Sequence, residues 1–158
     1  MKNSNDIYYI YEKLSSLYPH YSNKKPKAKI YSKAYTSLIG VMLSAQSQDK
    51  RTAVACNQLF ALADTPEEML KLSQEQIIEA IKPAGLFNAK SKNILATSKM
   101  LLEKFNGQVP RTQKELMTLP GVGRKSSDIV MRFVFGEPHI AVDTHAVSYT
   151  HLTLPTKF

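Results

Sequence analysis

Between Glu115 and Lys125 the chain reads Glu-Leu-Met-Thr-Leu-Pro-Gly-Val-Gly-Arg-Lys, which sets Gly121 and Gly123 between two stretches of helical pattern. A turn this tight needs backbone freedom that other residues lack, so the string predicts a helix-hairpin-helix over residues 113–135. With no side chains in the way, the backbone N–H groups of Gly121, Val122 and Gly123 can converge with the start of the next helix, at Arg124, on one phosphate. Such a contact would hold DNA without reading its sequence. Many helix connections use Gly and Pro, and a lone GVG carries little weight. The whole LPGVGRK string sits in a chain with 21 Lys and Arg against 13 acidic residues, however, and that excess favours a polyanionic partner.

The remaining pattern is helical throughout. Ile7, Ile10, Tyr11, Leu14 and Leu17 fall at helical spacing and Pro19 ends the run, which predicts an opening amphipathic helix. The Lys- and Pro-rich stretch from Ser22 to Lys29 reads as a linker. From Ala34 the run YTSLIGVMLSAQSQ is long and apolar and predicts a buried helix. Thr65 with Glu68, Ser73 with Gln76 and Thr112 with Glu115 have capping-box spacing, each marking a helix start. A helix is expected from Asn93 to Phe105, with Ile94, Leu95, Leu101, Leu102 and Phe105 on its inner face and Gly107 and Pro110 as its stop. After the hairpin, Ile129, Val130, Phe133 and Val134 predict another inner stripe, ended by Gly136 and Pro138. No strand hairpin or repeat is visible, so the predicted class is all-α.

Several functions are set aside by composition. Cys56 is the only cysteine, which removes internal disulfides and cysteine-rich metal sites and fits a reducing compartment. No apolar run approaches the ~20 residues that span a bilayer, and the opening MKNSNDIYYIYEK lacks the apolar core of a signal peptide. A cytoplasmic, monomeric protein is expected.

LPGVGRKSS followed by AVDTH, with LIGVMLSAQSQD and IKPAGLFNAKSKNI upstream, resembles the helix-hairpin-helix DNA glycosylases of the endonuclease III family over most of Tyr35 to Val147. The resemblance implies a six-helix barrel-like domain over residues 27–137 that contains the hairpin. It also implies a second lobe made of residues 1–26 and the segment from 138 onward, with DNA lying across the cleft. The implied activity is base-excision repair, in which oxidised pyrimidines are removed from double-stranded DNA and the abasic site is cut by β-elimination.

By the same resemblance Lys125 is the nucleophile. It sits in the first turn of the second hairpin helix, where the positive end of the dipole disfavours an ammonium and favours the amine that attacks a sugar C1′. A plain phosphate contact, like that expected of Arg124, is its other reading. Asp143 would take the amine's proton or stabilise positive charge on the sugar; a helix N-cap is a compatible second role. Gln46 resembles the glutamine that fills the gap left by an extruded base, against which stands a surface glutamine at a helix end. Leu86 could be a second wedge, although a buried leucine is the safer reading. His145 is expected to orient Asp143 or contact phosphate, with a structural hydrogen bond as the alternative. Arg51, Lys90 and Lys92 could touch DNA, but basic residues on helices are more often solvated faces.

From about residue 148 the sequence, within SYTHLTLPTKF, departs from the family pattern. The second lobe is therefore expected to be incomplete and the tail foreign, with the opening helix short of partners. The [4Fe–4S] cluster that the family carries has no four-cysteine set here, so no cofactor is expected. The rival function is a non-catalytic DNA-binding fragment built on the same hairpin.

Overall fold

The computed structural model describes residues 4–18 and 33–142. They form eight α-helices: α1 Ser4–Leu17, α2 Ala34–Ser44, α3 Asp49–Leu62, α4 Pro66–Met69, α5 Gln74–Ile81, α6 Phe87–Phe105, α7 Gln113–Leu116 and α8 Arg124–Phe133. A 3-10 turn, Lys82–Ala84, joins α5 to α6, and no strand occurs among the described residues. The all-α expectation therefore holds. The expected linker at Ser22–Lys29 and the tail from residue 148 lie outside the described residues.

The core is organised around α2. Every residue from Tyr35 to Leu43 is buried, with Leu38, Ile39 and Leu43 fully so, as expected of a helix that is apolar on all sides. It packs on α3, α6 and α8. Removing three such side chains from water contributes roughly 1.5–3 kcal/mol each. One polar contact is buried here as well: the Tyr35 hydroxyl and Ser98 Oγ lie 2.7 Å apart, and burial raises the phenol's pKa far above its ordinary value. On α1, by contrast, the predicted stripe is solvent-facing, with Ile7, Ile10, Leu14 and Leu17 45–63% exposed. No helix among the described residues is long and apolar enough to cross a membrane.

The caps show how local chemistry sets the helix starts. Ser73 and Gln76 form a full capping box: the Ser73 N–H donates to Gln76 Oε1 at 2.8 Å and the Gln76 N–H to Ser73 Oγ at 3.2 Å. The other two are partial. Thr65 Oγ1 accepts from the Glu68 N–H, but the Glu68 carboxylate takes the N–H of Asp64 instead of that of Thr65. Thr112 Oγ1 accepts from the Glu115 N–H and donates its own proton to the Glu115 carboxylate.

Three features depart from the sequence reading. Helix α6 begins at Phe87, six residues before the expected Asn93, because it starts after Leu86 in the left-handed conformation (φ 48°) with no side-chain cap to mark it. Helix α3 carried no prediction; its buried stripe is Thr52, Ala55, Cys56 and Leu59, mostly small residues that make a weak hydrophobic signal. On α8 the inner face is Ser127, Val130 and Met131 with Asp128, while Phe133 is 57% exposed, a rotation of the predicted stripe by about one residue.

Candidate nucleic-acid interface and cleft

Helices α7 and α8 are joined by the glycine turn. Gly121 takes φ +78°, and a Cβ there would meet Asn93 on α6, with Nδ2 at 2.7 Å and Cβ at 3.0 Å. Glycine is required at this position by conformation and by space. Gly123 differs from expectation. It is the N-cap of α8 with φ −93° and ψ −176°, an extended conformation open to any residue, and a Cβ would meet nothing within 4 Å. Its lack of a side chain keeps the approach to the start of α8 open. The turn is tied to the core by Thr97, whose hydroxyl donates to the Pro120 carbonyl at 2.9 Å, and by Val122, which is buried.

The expected trio of anion-facing amides is reduced to two within the turn. The Val122 N–H donates to the Leu119 carbonyl at 3.1 Å, which closes the turn. The N–H groups of Gly121 and Gly123 have no intramolecular acceptor among the described residues. They lie beside the first turn of α8, where helical amides are also unsatisfied; the first bond there runs from the Ser127 N–H to the Gly123 carbonyl at 2.9 Å. Arg124 and Lys125 are exposed in that turn. Backbone donors, a helix positive end and two basic side chains give this end of the hairpin the chemistry to attract an anion.

Lys125 also lines a cleft of about 400 Å³, shared with Ser44, Gln46, Ser126, Ile129 and Val142. One wall is thus the end of α2 and the other the start of α8. Gln46 is exposed and left-handed (φ 52°), and it forms part of a second pocket of about 210 Å³ with Leu86, Lys90, Asn93 and Gly121. The sequence-predicted residues Gln46, Gly121 and Lys125 are therefore brought to adjoining cavities. Val142, the last described residue, lines the larger one; Asp143 and His145 lie outside the described residues.

Two expectations about neighbouring residues are overturned. Leu86 is 57% exposed rather than buried, at the rim of the smaller pocket. Lys90 is buried at 7% exposure instead of lying on a solvated face, and its Nζ donates to the Leu43 carbonyl at 2.8 Å and to the Ala84 carbonyl at 3.1 Å. Loss of solvent lowers its pKa from the ordinary lysine value. The stripe Lys90, Ile94, Thr97, Ser98 and Leu101 has helical spacing and is wholly buried, so extending the periodicity back through a charged residue would have revealed it. Arg51 and Lys92 are exposed, in line with solvated faces.

A second polar cluster braces the hairpin. Buried Asp128 accepts from Gln113 Nε2 at 2.6 Å, and its Oδ1 is 2.9 Å from His139 Nδ1, linking α7, α8 and the segment leading to Val142. None of these residues was singled out by the sequence.

The residues 39–151 match the family model for the helix-hairpin-helix GPD superfamily of base-excision DNA-repair proteins. That match runs a few residues past Val147, where the visible resemblance stopped. The chain belongs to this family. It is 46% identical over 125 residues to endonuclease III of Rickettsia conorii, covering 78% of this chain and 60% of that protein. The chain thus spans about 60% of the length of the curated relatives it matches. Among solved structures it resembles a non-covalent endonuclease III–DNA complex and a trapped endonuclease III–DNA covalent intermediate. In both cases the TM-score is 0.82 and the identity 34%, over 95% of this chain and 68% of the other.

The [4Fe–4S] cluster that the family resemblance implies needs four cysteine thiolates, which the residues present do not supply. Cys56 is the only cysteine and is fully buried in α3, and among the described residues no group of three or more His, Cys, Asp or Glu is placed to hold a metal.

Proposed function

We propose that this chain is a DNA N-glycosylase with associated abasic-site lyase activity, acting as a cytoplasmic monomer on duplex DNA that contains oxidised pyrimidines or abasic sites. The observation that carries the reading is Lys125: it stands beside the hairpin amides that have no acceptor among the described residues and lines, with the left-handed Gln46, the same cleft. A backbone phosphate held at Gly121, Gly123 and Arg124 would bring the neighbouring sugar to the lysine.

The chemistry follows from that placement. The Lys125 amine attacks C1′ of the damaged nucleotide, the N-glycosidic bond breaks and the base leaves. Loss of the amine proton and opening of the sugar ring give a Schiff base. Removal of a proton from C2′ then expels the 3′ phosphate by β-elimination, and hydrolysis releases the enzyme. Asp143 is proposed to take the amine proton or to stabilise positive charge on the sugar, with His145 orienting it or holding phosphate. Gln46 and Leu86, exposed at the rim of the smaller pocket, are proposed to fill the stack that the extruded nucleotide vacates. The covalent DNA intermediate known for endonuclease III supports the nucleophilic route.

The test is strand cleavage of a duplex with one abasic site by the chain, by Lys125→Gln and by Asp143→Asn. Cleavage should be lost in the first and strongly reduced in the second. Full cleavage by both variants would refute the assignment, and binding by the unmodified chain without cleavage would leave a DNA-binding module.

A further inference from the structure

Lys90 is the only buried lysine or arginine among the described residues, and it has no carboxylate partner among them. Removing an ammonium from water without a counter-ion is costly, and an apolar side chain would fill the same space at less expense. What the cation does is geometric. Its two acceptors belong to different elements: Leu43 lies in the last turn of α2, three residues before Gln46, and Ala84 ends the 3-10 turn two residues before Leu86. A single nitrogen therefore keeps the two segments no farther apart than two hydrogen bonds allow. It also sits at the negative end of α2, where terminal carbonyls lack helical partners.

The residues beyond each acceptor are strained. Only three non-glycine residues described have positive φ, namely Gln46, Leu86 and Asn106. Asn106 ends α6 in an ordinary left-handed stop next to Gly107, but Gln46 and Leu86 flank the 210 Å³ pocket that Lys90 itself lines. A left-handed conformation is unfavourable for an L-residue and persists only where the surroundings fix it. We infer that Lys90 is a positioning residue for damage recognition: its ammonium clamps the end of α2 to the turn before α6 and so presents Gln46 and Leu86 as opposed lips that enter the duplex together. This rests on the proposed role of the cleft in DNA.

The experiment compares affinity for a duplex carrying a tetrahydrofuran abasic analogue with affinity for the same duplex undamaged. In Lys90→Met the ratio should fall about ten-fold, the size of losing one charge-assisted hydrogen bond. Affinity for undamaged duplex, carried by the hairpin, should hold. The double variant Gln46→Ala/Leu86→Ala should lose selectivity as well, and adding Lys90→Met should then lower it no further, because the lysine acts through those two residues. An unchanged ratio in Lys90→Met, or a further ten-fold loss on top of the double variant, overturns the clamp. If the double variant keeps the original ratio, the reading of the cleft itself falls, and the clamp with it. Should Lys90→Met not fold, Lys90→Arg is read in the same way. Its wider guanidinium keeps the charge but not the spacing, so a reduced ratio supports the clamp and an unchanged one overturns it.

Discussion

Replacing Gly121 by alanine separates the structural demand of the hairpin from its chemical one. An L-residue at φ +78° costs about 1–2 kcal/mol. The new Cβ also meets Asn93 Cβ and Cγ at 3.0 Å; because Asn93 Cβ is fixed to the α6 backbone, no rotamer change relieves the clash, and overpacking of this kind costs about 1–3 kcal/mol. Restricting the unfolded chain returns only about 0.4–1 kcal/mol. Gly121→Ala should therefore lose about 1–4.6 kcal/mol, centred on about 3 kcal/mol, a large part of a small domain's stability. Gly123→Ala is the control. Its backbone is extended and its Cβ position open, so the small cost of alanine at an N-cap and the gain from a stiffer unfolded chain nearly cancel, within about 0.5 kcal/mol. If its amide faces phosphate, however, Gly123→Ala should still weaken binding of undamaged duplex. Urea unfolding by far-UV circular dichroism suits a chain without tryptophan. Equal stability of the two variants would show that neither the positive φ nor the Asn93 contact constrains position 121.

Burial pushes the Cys56 thiol from 9.0 up to about 11. The unfolded chain thus gives up this proton before the folded one does, so stability should fall as pH rises from 9 to 11, and more steeply than in Cys56→Ala. Equal slopes would exclude the linkage, and the native thiol should alkylate slowly at pH 8 but quickly in urea. Asp128→Ala leaves the Gln113 amide and His139 without their shared acceptor and should cost about 1–3 kcal/mol in urea unfolding. A loss below about 0.5 kcal/mol would show that the cluster does not brace the hairpin.

The hairpin was legible because its glycines stand in a short, specific string, and the class because apolar spacing at α1, α2 and α6 admits no strand pattern. Ser73 and Gln76 met as a capping box because both partners are local. What stayed hidden depends on tertiary contact. Lys90 continues the buried stripe of Ile94, Thr97, Ser98 and Leu101, but its charge argued for solvent; the carbonyls of Leu43 and Ala84, far apart from one another in sequence, are what satisfy it as a buried cation. Leu86 read as buried because it is apolar, yet its left-handed backbone turns it to the rim. Gly123 looked conformationally necessary only because it neighbours Gly121, which is. On α8, Asp128 occupies an inward position because Gln113 and His139 satisfy its carboxylate, which displaces the apolar stripe that periodicity alone predicts.

Everything proposed for the cleft turns on Lys125 forming a covalent bond to DNA. Borohydride reduction of the chain on a duplex with one abasic site, followed by peptide mapping of the adduct, captures that bond. A single adduct on the Lys125 peptide is expected, and it should disappear in Lys125→Ala while duplex binding persists; an adduct of unchanged yield in that variant, or one mapped to another amine, would show that Lys125 is not the nucleophile.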